Sequence, residues 1–387
     1  MRFIHTADWH LGKLVQGVYM TEDQRYVLNQ LVDAVAAERP DAVIIAGDLY
    51  DRAVPPTEAV ELLDELLERI VVDMRTPVLA ISGNHDSPDR LEFATGIMEG
   101  RGLYLVGQFK PEIKTVALRD QFGEVHFHLV PYADPAQVRF ALGNEAIRTH
   151  DDAMREITAL IGKCSDPQAR HVFVGHAFVT PRGEPAENTS ESERPLSVGG
   201  AEHVRAEYFQ PFHYTALGHL HKAHFVLREN IRYAGSPLKY SISEEHHRKC
   251  FYMVEMDGLG NVRVEERAFA PLRDMRTIAA PIAEIEKHAP SDDYVFVTLL
   301  NDNPVLFPME RVRAVYPNAL HVERRVAVAN TDTNGGENVA ARRRETDPTA
   351  LFAAFYQEVL QVTPDEAKLR MFADTFAEVL REEGEAG

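Results

Sequence analysis

Residues 42–52 read AVIIAGDLYDR: five apolar residues in a row, then a glycine, two carboxylates three positions apart and an arginine. A short unbroken apolar run closed by Gly-Asp reads as a strand buried on both faces, the kind found in parallel sheets covered by helices. The polar residues that follow are then carried to the loop rim at the carboxyl end of the strand, where α/β sheets keep their sites.

Four further segments have the same form. Residues 2–5 lead into Asp8-Trp9-His10, residues 78–82 (VLAIS) into Gly83-Asn84-His85-Asp86, residues 171–174 into Gly175-His176, and an apolar run ends in Gly218-His219-Leu220-His221. Taken singly, each has an ordinary explanation, since Gly-Asp and Gly-Asn mark turns and most histidines are structural. Together they offer carboxylate, amide and imidazole ligands with no thiolate, a set suited to two divalent ions of the manganese, iron or zinc type rather than magnesium or calcium. Phosphodiester hydrolysis asks for this inventory: a water made acidic enough to attack near neutral pH, and two ions that clamp the attacking and leaving oxygens. A shared carboxylate must hold two cations so close together, and Asp48 is the natural candidate. The repeated glycines keep the ligand loops tight.

Outward from these motifs, Thr21 and Gln24 form a candidate capping box ahead of Val27, Leu28, Leu31, Val32 and Val35, which share one helical face. A second amphipathic helix is expected over 58–70, with Val60, Leu63, Leu67 and Ile70 packing on the sheet or forming a dimer contact. Alternating segments over 116–131 and 231–267 indicate antiparallel sheet, so the expected fold is α/β, with two stacked mixed sheets flanked by helices over residues 1–270. A helix over 282–288, a strand over 294–300 and a helix near Met309 suggest a small α+β domain over 271–326. Residues 327–347 are polar, contain Gly335-Gly336 and read as a flexible linker. Beyond it, Leu351, Phe352, Phe355, Tyr356, Val359 and Leu360 share one helical face, and a second helix is expected to be capped by Thr363 with Pro364 at its first position. Two helices this apolar behind a tether either dock on a partner or fold back on their own chain.

A formal net charge of −19 argues against coating nucleic acid through a global field, so any DNA contact must be local. The two cysteines, Cys164 and Cys250, form no CxxC pair and indicate neither a disulfide framework nor a thiolate zinc site. The opening residues MRFIHTADWH lack the apolar core of a signal peptide, and no apolar run is long enough to span a bilayer, so a cytoplasmic protein without a membrane segment is expected.

The motif order DxH, GDxxDR, GNHD, GH, GHxH resembles the calcineurin-like metallophosphoesterase superfamily over about the first two thirds of the chain. That resemblance implies Asp8, His10, Asp48 and His221 around one metal, and Asp48, Asn84, His176 and His219 around the other. It also implies that His85 contacts the scissile phosphate as a transition-state stabiliser or proton donor, with Asp51 as its orienting carboxylate. Arg52 is then either a phosphate contact or part of a surface ion pair.

Within the superfamily, FIHTADWHLGK, SESERPLSVGG (190–200), YAGSPLKYSISE and the small domain followed by tethered helices are similar to the bacterial branch of the Mre-type double-strand-break nucleases. Archaeal and eukaryotic relatives tend to have histidine where this chain has Asp51, so their role for that position does not transfer. The resemblance implies a homodimer, manganese-dependent cleavage of DNA ends and hairpins, a cap over 271–326 that selects DNA, and an SMC-like ATPase held by residues 348–387. Lys13, Arg52, Arg90, Arg182, Lys222 and Lys239 are candidate phosphate contacts, with solvated surface charge as the alternative for each. Two other readings share the same site: a phosphoesterase acting on nucleotides or phosphomonoesters, and a noncatalytic scaffold of this fold.

Overall fold

The computed structural model describes residues 1–182, 190–193, 202–301, 303–325, 348–360 and 363–385. The expected linker over 327–347 and most of the SESERPLSVGG segment lie outside the described residues. The chain divides into two compact units, Met1–Val326 and Ala327–Gly387.

The first unit is built on two six-stranded mixed sheets. In the first sheet, Arg2–Thr6, Ala42–Ala46, Val78–Ile81 and Leu103–Val106 run parallel, and Cys250–Met256 and Val262–Ala268 add an antiparallel edge beside Arg2–Thr6. In the second, Arg228–Tyr233, Tyr214–Gly218, Arg170–His176 and Gly123–Val130 are parallel neighbours, flanked by His224–Val226 and Lys114–Asp120 as antiparallel edges. The stretch after Ile231 is therefore only partly antiparallel, because Arg228–Tyr233 pairs in parallel with Tyr214–Gly218.

Phe3, Ile44, Leu79 and Val254 of one sheet and Phe127, Val172 and Tyr214 of the other form a single buried layer between them. The helix Thr21–Glu38 buries Val27, Leu28, Leu31, Val32 and Val35 on the outer face of the first sheet. Each such side chain contributes about 1.5–3 kcal/mol on burial, so truncating Leu31 to Ala would cost about 2–5 kcal/mol. The helix stops where Arg39 turns left-handed at φ 47°, its N–H closing on the Val35 carbonyl, and Pro40 then prevents continuation.

Three local expectations are corrected. Thr21 and Gln24 form no capping box. Met20 is the N-cap, and Gln24 is wholly buried and bonds to the loop that follows the first strand. The second helix spans Thr57–Leu67 and widens into a π-helical stretch, Glu68–Asp73. Leu63 and Ile70 are buried and Leu67 packs on the same core as expected, but Val60 is 44% exposed, and Ala59, Leu62 and Leu66 complete the buried face instead. In the second unit, Asp365 rather than Thr363 caps the helix Glu366–Glu385, its carboxylate accepting the Lys368 N–H.

After residue 270, Met275–Ala280, Tyr294–Leu299 and Ala319–Arg324 form a three-stranded parallel sheet with the short helices Ile282–Ile285 and Pro308–Arg313 and a core of its own. It is joined to the body through Tyr294 and Arg273, both on Asp23, and through Lys239 on Asp274. In the second unit, Pro348–Leu360 and Glu366–Glu385 pair through stacked Phe352 and Phe372, 4.3 Å between centroids. The side chains of Leu351, Val359, Leu360, Val379 and Leu380 lie outside the described residues. Among the described residues, no helix is long and apolar enough to cross a membrane.

Candidate metal centre

The five motifs follow five strand ends and meet at the seam between the two sheets. Asp8, His10, Asp48 and Asn84 come from the first sheet; His176, His219 and His221 come from the second. Asp8, His10, Asp48 and His219 are all in positive-φ conformations, at 54°, 46°, 51° and 108°. Such angles are uncommon for non-glycine residues, and functional loops are one place where they gather. Glycine allows the close approach: a Cβ at Gly83 would overlap the Asp48 carboxylate, and one at Gly47 the His176 ring.

The ligand atoms cluster tightly. Asp8, His10 and His221 have mutually close donor atoms, as do Asp8, Asp48 and His176, and a third group joins His10, Asp51 and His85. Asp48 Oδ2 is 3.5 Å from His10 Nε2 and 3.4 Å from His176 Nε2, between the two imidazoles. His176 Nδ1 donates to the Ala46 carbonyl at 3.0 Å, so in the neutral ring its lone pair is on Nε2, 2.9 Å from Asn84 Oδ1. His10 and His221 face each other through Nε2 atoms 3.0 Å apart. His219 donates its N–H to Asp8 Oδ1, and its ring lies 5.5 Å from that of His176, but it supplies no atom to the three clusters.

These carboxylates and imidazoles converge in a buried site. Asp8 Oδ2 and His10 Nδ1 are buried with no hydrogen-bond partner. Burial pushes the Asp8 carboxyl up to about 7 despite the nearby imidazoles. Burial lowers His176 too, but the Asp48 and Asp8 carboxylates outweigh it and lift that imidazole to about 9. For Asp48 the burial penalty is overcome by His176 and His10, which hold it well below the usual carboxylate range. Burial above all drives His10 and His219 well down, toward the neutral form that metal ligation needs. Converging lone pairs with a partnerless carboxylate oxygen fit divalent cations.

The expected pairing of Asp51 with His85 is corrected. His85 Nδ1 donates to the backbone carbonyl of Asp51 at 2.8 Å. The Asp51 carboxylate turns instead to Lys13 Nζ at 2.8 Å and lies 3.7 Å from His10 Nδ1, too far for a hydrogen bond. The proximity of the loop to His85 was legible, but the atom that makes the contact was not.

Of the basic candidates, Lys13 is held by Asp51 and Lys239 by Asp274, which leaves neither as a simple surface charge. Arg52, Arg90, Arg182 and Lys222 are exposed, and among the described residues neither Arg52 nor Arg90 forms an ion pair, against the ion-pair reading of Arg52.

Several supporting residues escaped the sequence reading. Asp86 accepts the N–H groups of Leu49, Tyr50 and Gly83, binding the second ligand loop to the third. Burial, with the Asp48 charge nearby, raises its carboxyl to about 7. Gln24 donates to the Trp9 and His10 carbonyls, and Tyr240 donates to that of Trp9 while its ring lies beside both His10 and His221. Glu193 accepts the backbone N–H of His221, and Glu244 reaches its ring. Burial lowers His221, and Glu244 more than reverses this. The fourth residue of GNHD was a visible signal for Asp86; nothing in local spacing marks Gln24 or Glu244.

The calcineurin-like phosphoesterase family model matches residues 1–223, and that of the type 5 capsule protein repressor C-terminal domain matches residues 271–359. A Staphylococcus epidermidis protein, named as the SbcD component of the nuclease SbcCD, is 30% identical over 381 residues, 95% of this chain and 97% of its own. A Staphylococcus saprophyticus protein of the same name is 32% identical over 93% of each chain. Among solved structures, a dimetal phosphatase from Danio rerio overlaps 70% of this chain and 97% of its own at 11% identity, with a TM-score of 0.41, too slight a likeness to carry an argument.

Proposed function

Since the chain belongs to the calcineurin-like phosphoesterase family, alongside the staphylococcal SbcD proteins, we propose that it is the nuclease component of an SbcC/SbcD-type complex, cutting DNA ends and hairpins during repair, recombination and replication. The observation that carries this reading is the position of Asp48 Oδ2 between His10 and His176 at a seam lined with acceptor atoms. Asp8, His10, Asp48 and His221 would hold one ion, and Asp48, Asn84, His176 and His219 the other. Two such ions, manganese in this reading, would supply Lewis-acid activation of water and stabilisation of the charge that builds on the phosphate.

The chain's own residues do the rest. The Ala46 carbonyl fixes the His176 tautomer so that Nε2 faces the centre. Because the Asp51 carbonyl can only accept, His85 carries its proton on Nδ1, and Nε2 is left for the phosphate. In its imidazolium form His85 then donates from Nε2 to a phosphate oxygen or passes that proton to the leaving oxygen. Arg52, Arg90 and Lys222 are proposed backbone-phosphate contacts, residues 271–326 a cap that selects DNA, and residues 348–387 the surface for an SMC-like ATPase of the SbcC type. The working unit in this reading is a cytoplasmic homodimer.

The test is incubation of the purified chain with labelled linear and hairpin duplexes, with and without manganese. Metal-dependent cleavage that disappears in Asp48→Ala and in His85→Ala is expected; cleavage retained in both variants rules the site out. Turnover of nucleotides or phosphomonoesters with indifference to DNA would support the small-substrate alternative. A chain ending at Glu345 should keep basal cleavage and lose ATPase binding, and an unchanged complex would refute the docking role.

A further inference from the structure

His221 reaches the centre from the second sheet, and its ring is gripped from behind. Glu244, at the end of the short turn Ile242–Glu244, is wholly buried, and its Oε1 lies 3.0 Å from His221 Nδ1. The Ser192 hydroxyl lies 2.7 Å from the same Nδ1 and donates to the same Oε1. The other oxygen, Oε2, takes the ammonium of Lys249, which also donates to the His221 carbonyl and to Ser236. The turn is pinned from outside as well, since the next residue, Glu245, accepts the N–H and hydroxyl of Thr277.

We propose that Glu244 is the positioning residue for His221, holding its imidazole in the tautomer that points a bare Nε2 at the metals. This rests on the metal-centre reading above. The reasoning is one of proton placement. A carboxylate only accepts, so Nδ1 must carry the hydrogen, which in the neutral ring leaves the lone pair on Nε2, 3.0 Å from His10 Nε2. Without the carboxylate the ring is free to protonate Nε2, and that tautomer cannot ligate. Lys249 alone explains little: a buried ion pair is commonly no more stabilising than an apolar pair of the same volume. The arrangement has the form of a metal-ligating histidine oriented by an outer carboxylate, whose loss weakens metal binding about 10- to 100-fold.

The experiment titrates manganese calorimetrically into the metal-free full chain, with melting curves of each metal-free variant. E244Q is expected to bind one of two ions about 10- to 100-fold more weakly. H221A should weaken the same ion at least as much, and E244Q in the H221A background should add nothing, because the two act through one contact. S192A, which leaves the carboxylate in place, should show a smaller loss. Should E244Q fail to fold, E244Q/K249M neutralises both partners and reports the same loss. Wild-type affinity in E244Q, or a loss that adds to that of H221A, overturns the proposal. Failure of the wild-type chain to take up manganese would instead remove the metal reading itself.

Discussion

Replacing Gly83 by alanine tests how closely the ligand loops are fitted. The added Cβ would stand 2.6 Å from Asp48 Cγ, and nearer still to its Oδ1 and backbone nitrogen. Ordinary contact begins at 3.4 Å, so Asp48 Cγ must retreat by at least about 0.8 Å, and its Oδ1 and backbone nitrogen by more. Retreat cannot be confined to one atom, because Oδ1 accepts the His85 N–H and Oδ2 lies between His10 and His176. Misplacing a reacting group by about 1 Å costs on the order of 100-fold in rate, so G83A is expected to cleave about 100-fold more slowly and to bind manganese more weakly. The assay pairs single-turnover cleavage of a labelled duplex with calorimetric metal titration. Gly96→Ala serves as control, since a Cβ there meets nothing within 4 Å. If G83A matches the wild-type chain in both measurements, the tight approach of the second and third ligand loops is not what sets the site, and the reasoning fails.

Asp51→Asn keeps the backbone carbonyl that holds His85 but removes the negative charge beside Lys13 and His10. Turnover should fall by less than about tenfold with metal affinity intact, against about 10²- to 10⁴-fold for loss of His85 in its proposed acid–base role; equal damage in D51N and H85A would contradict this. A separate effect of pH is expected far from the metals. His128 packs on His171 and bonds to Thr115, and burial, followed by repulsion from His171 and His126, lowers it to about 3. His213 and Glu124 also face this group, on His171 and His126 respectively. Because the folded value lies below the unfolded one of about 6.5, the unfolded chain takes up the proton first. The stabilisation is complete above that pH and is lost on acidification toward 3, by at most about 1.4 kcal/mol per unit. Urea unfolding of the metal-free chain at pH 7 and pH 5 should show a smaller difference in His128→Phe than in the wild type; identical differences would exclude the effect.

The fold and the clustering of the motif residues were legible because their signals are local. An apolar run followed by glycine and a polar residue marks both the strand and its rim, and all five such runs end where the two sheets meet. Val60 was wrongly placed on the buried face of the helix Thr57–Leu67 because it stands one turn before Leu63 just as Ala59 does, and only the packing partner decides between them. Gln24 looked like half of a cap because a glutamine three residues after a threonine suits that motif. In the fold, its amide does more by serving two carbonyls of the first ligand loop. Glu244 was out of reach for a different reason: 23 residues separate it from His221, and the intervening strands bring it back. Asp51 shows that proximity and chemistry are separate questions, since its main chain and side chain face different histidines.

The proposed ligands come from different layers, and that has a mechanical result. Close approaches in the centre join the first sheet to the second, as between His10 and His221, which are 211 positions apart in the chain. Cations lodged there would rivet the sandwich shut, resisting any sliding of one layer over the other. Bound only by the assembled protein, they should raise its melting temperature steadily with their free concentration, and chelation should loosen the entire body rather than one loop.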